Sequence, residues 1–130
     1  MRIVRTSSEH PPSEIRGTTF TGTVHALPVL PATDGVVINT ITFTPGARTH
    51  WHSHERGQIL NVVFGSGWIC TQGQAPERLG AGDVVWVPPG EVHWHGAAAD
   101  SLLAHLAVSL GTTNWLDPVA DGDYPGGVTA

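Results

Sequence analysis

GARTHWHSHERGQILNVVFG, residues 46–65, decides how this chain folds. On an extended strand, side chains two residues apart point to the same face, so His52 and His54 project together. Gln58 opens an apolar, β-prone run that closes on Gly65, giving the spacing Gly46-x5-His52-x-His54-x3-Gln58-x6-Gly65. A second stretch, GDVVWVPPGEVH at residues 82–93, has the form Gly82-x5-Pro88-x-Gly90-x2-His93. Six of the eight histidines fall at or near these segments: His50, His52, His54, His93, His95 and His105. Histidine is the commonest biological metal ligand, and such clustering on strands is hard to explain as packing.

Working outward, short β-prone runs alternate with turn chemistry. Phe20 to Leu27 reads as a strand. Val36 to Thr44 is another, with Val36, Ile38, Thr40 and Thr42 on one face and Val37, Ile41 and Phe43 on the other. Pro45-Gly46 ends it, and Arg48 to His54 continues as a strand or extended segment. Gln58 to Phe64 is followed by Gly65-Ser66-Gly67, read as the tight connection of a hairpin whose second arm is Trp68 to Gln72. Val84 to Val87 lies between the turns Gly80–Asp83 and Pro88–Gly90, and Leu102 to Leu110 is the last long strand. No helical period exceeds about two turns, so the expected class is all-β, a single antiparallel barrel or sandwich. The expected organisation is an N-terminal arm over 1–17, a barrel over 18–112 and a tail over 113–130, loose except where Trp115, Leu116 and Tyr124 dock.

Composition narrows the function classes. At 130 residues the chain is one domain with room for a core. A net charge of −5 gives no basic patch for nucleic acid and no polybasic membrane segment. There is no lysine, which excludes lysine Schiff bases and a lysine general base, and leaves six arginines. Cys70 is the single cysteine, so no intrachain disulfide forms, and it reads as a small buried hydrophobe. Met1 to Gly17 lacks a signal-peptide core and no run reaches membrane-spanning length, so the expected location is the cytoplasm. The carboxylates are scattered, with no close pair for acid–base work.

His52 and His54 can be joined by Gln58 from the next strand and by His93 from the far hairpin. Three imidazole nitrogens and one amide oxygen suit a divalent first-row metal, with one or two positions left open in an octahedral site. His95 lies two residues beyond His93, on the same face. His105 shares its face with Leu103, Ala107 and Ser109. His50 has the parity of His52, but a bulge before the motif would turn it away. His10 and His25 have no constellation and read as surface residues. Trp51, Trp68, Trp86 and Trp94 read as core or subunit-interface aromatics.

The two motifs resemble those of the cupin superfamily, small antiparallel β-barrels of the jelly-roll type. That family's first motif carries Glu where this chain has Gln58, and its second ends in Asn where this chain has Ala97. The stretches TFTGTV, PGART-x-WHSH-x2-GQ, GDVVW-x2-PGE-x-HWHGAA and AHLA are similar to small single-domain bacterial cupins that include manganese-dependent hydroxynitrile lyases, which cleave (R)-cyanohydrins such as mandelonitrile. The resemblance runs from about Phe20 to Tyr124. It implies a metal held by His52, His54, His93 and Gln58, with Mn(II) foremost and Fe(II), Zn(II), Ni(II) or Co(II) as alternatives. It implies His95 and His105 as catalytic pocket histidines relaying a proton. The rival readings are an iron- and dioxygen-dependent cupin oxygenase and a non-catalytic, metal-stabilised cupin that binds small ligands. A small-molecule substrate is expected in either enzyme reading. Five tryptophans and strands apolar on both faces also predict a homodimer or homotetramer, through sheet faces or an exchanged N-terminal strand.

Overall fold

In the computed structural model, residues 1–5 and 12–126 are described. His10 and much of the polar stretch 6–17 therefore lie outside the described residues. Twelve strands follow one another: β1 (Glu14–Arg16), β2 (Phe20–Thr21), β3 (Val24–Thr33), β4 (Val36–Phe43), β5 (Arg48–Thr49), β6 (His52–His54), β7 (Gln58–Thr71), β8 (Glu77–Gly80), β9 (Val84–Val87), β10 (His93–Ala97), β11 (Leu103–Leu110) and β12 (Thr113–Trp115). A 3-10 turn, Asp121–Asp123, follows. Every pairing is antiparallel. One sheet runs β1-β3-β4-β11-β7-β9. The other joins β2, β5, β10, β6, β12 and β8, again through β7. The chain is all-β and antiparallel, closing into a barrel, as the turn spacing predicts.

β7 departs from expectation. Gly65-Ser66-Gly67 does not reverse the chain; the strand runs unbroken from Gln58 to Thr71 and serves both sheets. Its first half pairs with β11 and β9, its second with β10 and β8. Glycine is needed there for close approach. A Cβ on Gly65 would collide with the Leu102 carbonyl, and one on Gly67 with the Gly96 carbonyl. Gly65 also sits at φ +79°, where a side chain is strained.

The alternation in β4 fixes the interior. Ile41 and Phe43 are buried, while Ile38, Thr40 and Thr42 lie on the opposite, less buried face. With Val24, Leu60, Val62 and Leu103 they form the apolar core. A second cluster packs Cys70, Trp94, Val119 and Tyr124, with Trp51 and Trp68 against it. Trp86 stays exposed.

The described part of the tail is more firmly held than expected. β12 pairs with β6. The Tyr124 hydroxyl donates to the Ala97 carbonyl at 2.5 Å. The buried Arg48 guanidinium donates to the Val119 carbonyl at 2.9 Å and to the Asp121 carboxylate, and lies 4.7 Å from the Tyr124 ring centre. Leu116, expected to dock, is exposed, and Val119 is buried in its stead. Among the described residues no helix is long and apolar enough to cross a membrane.

Candidate metal centre and its cavity

Five histidines and one glutamine converge inside the barrel. β5 ends at Thr49 and β6 begins at His52, so His50 and Trp51 form a break that resets the alternation. Thr49, His52 and His54 all face the cavity, while the His50 ring is absent from its wall. β10 brings His93 directly opposite His52. Their ring centres are 4.2 Å apart, and His54 lies 5.0 Å from His52 and 5.6 Å from His93. His25 is exposed on β3, away from this group.

The first nitrogen of each ring in this trio is already committed. His52 Nδ1 pairs with the His50 carbonyl and His93 Nδ1 with the Glu91 carbonyl, both at 2.9 Å. His54 Nδ1 pairs with Thr113 Oγ1 at 3.1 Å. A carbonyl can only accept, so Nδ1 of His52 and His93 carries the proton and Nε2 keeps its lone pair. Gln58 is oriented the same way. Its amide nitrogen donates to Ser109 Oγ, and its Oε1 lies 3.1 Å from His93 Nε2. The Nε2 atoms of His54 and His95 are buried without a hydrogen-bond partner. Unpartnered buried polar atoms are rare and call for an occupant. The donor set of neutral imidazoles and an amide oxygen fits a divalent first-row ion.

His95 also stands within reach of the same ion. His52, His93 and His95 present ligand nitrogens all within 4.8 Å of one another. His54 and Gln58 stand beside them, whereas the sequence reading placed His95 outside the ligand set. His95 Nδ1 also meets His105 Nε2 at 3.0 Å, deep in the barrel. Phe43 packs against both rings, with centres at 5.8 and 5.3 Å.

Burial dominates the electrostatics. It holds His52 and His95 well below the usual histidine range, with neighbouring rings (His93 for His52, His105 for His95) adding to the effect. Burial likewise lowers His93, and brings His54 and His105 down to about 4. All five are neutral near pH 7, the form that binds a metal or accepts a proton.

The cavity over this cluster has a volume of about 240 Å³. His52, His54, Gln58, His95 and His105 all line it. Sequence reasoning missed several other members. Trp115 lies against His52 with ring centres 4.6 Å apart and packs on Phe20 at 5.6 Å. Thr113, Ser109 and Thr49 hold His54, Gln58 and the His95 backbone respectively. The one available signal was parity: Thr113 and Trp115 alternate, but three residues are too few to read as a strand.

Comparison with known proteins agrees with this architecture. The profile of the Cupin domain family matches residues 39–109. An (R)-mandelonitrile lyase from Granulicella tundricola is 44% identical over 111 residues, covering 81% of this chain and 85% of that protein. A cupin-like protein from Thermotoga maritima superposes with a TM-score of 0.83 at 36% identity, covering 95% of this chain and 98% of that one. A polyketide cyclase from Streptomyces resistomycificus shares the fold at TM-score 0.70 and 20% identity, over 92% of this chain and 84% of its own. This chain belongs to the cupin family.

Proposed function

We propose that this cupin is a manganese-dependent lyase that cleaves or forms small cyanohydrins of the mandelonitrile kind. The observation that carries the reading is the His95–His105 pair beside the His52–His54–His93–Gln58 group, in a chain 44% identical to a mandelonitrile lyase. Mn(II) held by those four side chains would supply Lewis acidity toward the substrate oxygen. His95 then accepts the hydroxyl proton at Nε2, and its Nδ1 contact lets His105 stabilise the charged ring. As the carbon–carbon bond breaks, its electron pair leaves with cyanide, and the same pair of rings returns the proton to give hydrogen cyanide and an aldehyde. Phe20 and Trp115 provide the apolar wall for the substrate's organic group. The test is metal analysis of the purified protein together with mandelonitrile cleavage. Manganese-dependent turnover is expected. A fully manganese-loaded protein that does not cleave cyanohydrins would overturn the reading in favour of an oxygenase or a binding protein.

The reading includes a cytoplasmic homodimer or homotetramer. β7 and β9 expose Val63, Phe64, Val84 and Trp86, with Ile59 registered opposite Trp86, on one sheet face. Such a set of exposed apolar side chains supports self-association. A monomeric mass by light scattering at micromolar concentration would refute it.

A further inference from the structure

Resting on the reading of this cavity as a metal-holding substrate site, we infer that its physiological substrate carries a carboxylate, received by Arg16. Four observations lead there. First, among the described residues lining the cavity there is no Asp or Glu, and Arg16 is the one cationic side chain beside neutral imidazoles. The chain as a whole has eleven acidic residues against six arginines and no lysine. An acid-free wall bearing an arginine thus runs against the chain's own charge balance.

Second, the candidate ligands are all neutral. Gln58 contributes an amide where a carboxylate would offset an ion's charge. A divalent ion there keeps its full charge, and with Arg16 the cavity carries a positive potential that concentrates anions. Third, Arg16 is available. It stands where the cavity meets solvent, its side chain 33% exposed, while His95 and His105 are buried. Its ion-pair partner is Glu14 on the same short strand, at 3.6 Å and itself 53% exposed. Exposed pairs of this kind are weak and exchange readily. A guanidinium fork matches a carboxylate with two parallel N–H···O bonds, which such a pair does not offer. Fourth, Phe20, Ile41 and Trp115 line the same space, and 240 Å³ suits one small molecule.

The class that uses all of these is a small aromatic or branched hydroxy or oxo compound. Its reacting oxygen faces the histidines, its carbon skeleton lies against the apolar wall, and its carboxylate sits apart from the reacting carbon. Mandelonitrile fills the wall and leaves Arg16 unused.

Calorimetric titration of the manganese-loaded protein with 4-carboxybenzaldehyde and with benzaldehyde tests this. Both probes carry the same aldehyde and ring. The wild type should bind the carboxylated probe about tenfold more tightly, as one charge-assisted contact implies. R16Q should erase that preference, and R16K should keep part of it. R78Q removes the same charge from a residue that lies over Trp68 outside the cavity, and should leave the ratio intact. A wild-type ratio near one, or equal ratios for R16Q and R78Q, overturns the assignment. So does a preference that survives in R16Q, because the carboxylate then binds elsewhere. Binding is read without turnover, so a protein that fails to cleave mandelonitrile yet shows the Arg16-dependent ratio loses only the lyase reading. Cleavage of mandelonitrile with a ratio near one loses only the carboxylate.

Discussion

The barrel interior is two unlike halves sharing the same strands. On β11, Leu103 belongs to an apolar core with Phe43, Leu60 and Val62, and two residues on His105 belongs to a cluster of neutral imidazoles. The apolar half gains from burial at roughly 25 cal/mol per Å². The imidazole half holds rings of which three, those of His54, His95 and His105, have a buried nitrogen without a partner, an arrangement that burial alone disfavours. Burial thus stabilises one side, while the other gathers the groups able to hold a metal, with Phe43 in contact with both.

The largest effect should come from His52→Ala, which removes the residue facing His93. Metal and lyase activity should both vanish while the barrel still folds. Elemental analysis, activity and circular dichroism together check it, and a variant that keeps its metal would break the division at its centre. Next come His95→Ala and His105→Ala, each expected to lower turnover by about 10²–10⁴-fold with the metal retained. Metal loss in His95→Ala alone would move His95 from the relay to the ligand set, in line with its place beside His52 and His93. On the other side, Leu60→Ala should cost about 2–5 kcal/mol in denaturant unfolding and leave the bound metal per folded molecule unchanged.

The two halves should also differ in their response to acid. His54 and His105 titrate near 4 when folded, below the unfolded value of 6.5, so the unfolded chain binds protons first as pH falls. Stability of the metal-free protein should be full above about pH 6.5 and decline toward pH 4, by about 3 kcal/mol for each group titrating alone. Leu60→Ala should lower that curve by a constant amount without changing its slope. Urea melts across the range decide it, and a flat profile for the metal-free wild type would mean that these rings are not held neutral.

How far the sequence reveals all this depends on how local the physics is. The two faces of β4 were legible because Val37, Ile41 and Phe43 share one parity and Val36, Ile38, Thr40 and Thr42 the other. The shared face of His52 and His54 was legible because two residues is one strand period. The course of β7 was not. Gly65-Ser66-Gly67 has the composition of a reversal, yet those glycines admit the carbonyls of Leu102 and Gly96, which lie far along the chain. A turn and a close approach leave the same local signature. The hold on the tail was hidden for the same reason, since Arg48 and Asp121 lie 73 residues apart in the chain. Residues such as Thr113 and Thr49 were missed because a hydroxyl holding a neighbouring group is indistinguishable, in one sequence, from any other hydroxyl.

The rings of His52 and His93 are oriented by main-chain oxygens of residues 50 and 91, whereas His54 leans on the side chain of Thr113. Every amino acid supplies the same carbonyl. Positions 50 and 91 can therefore drift to any residue that keeps the backbone path. Proline is the exception, because both amides donate, to Thr19 and to Pro88. Two of the three tautomers are thus shielded from point mutation at their supporting positions, and the third is exposed to it. Among the supports of these three rings, two are inherited through the shape of the chain, and only the one at Thr113 through the letter of the code.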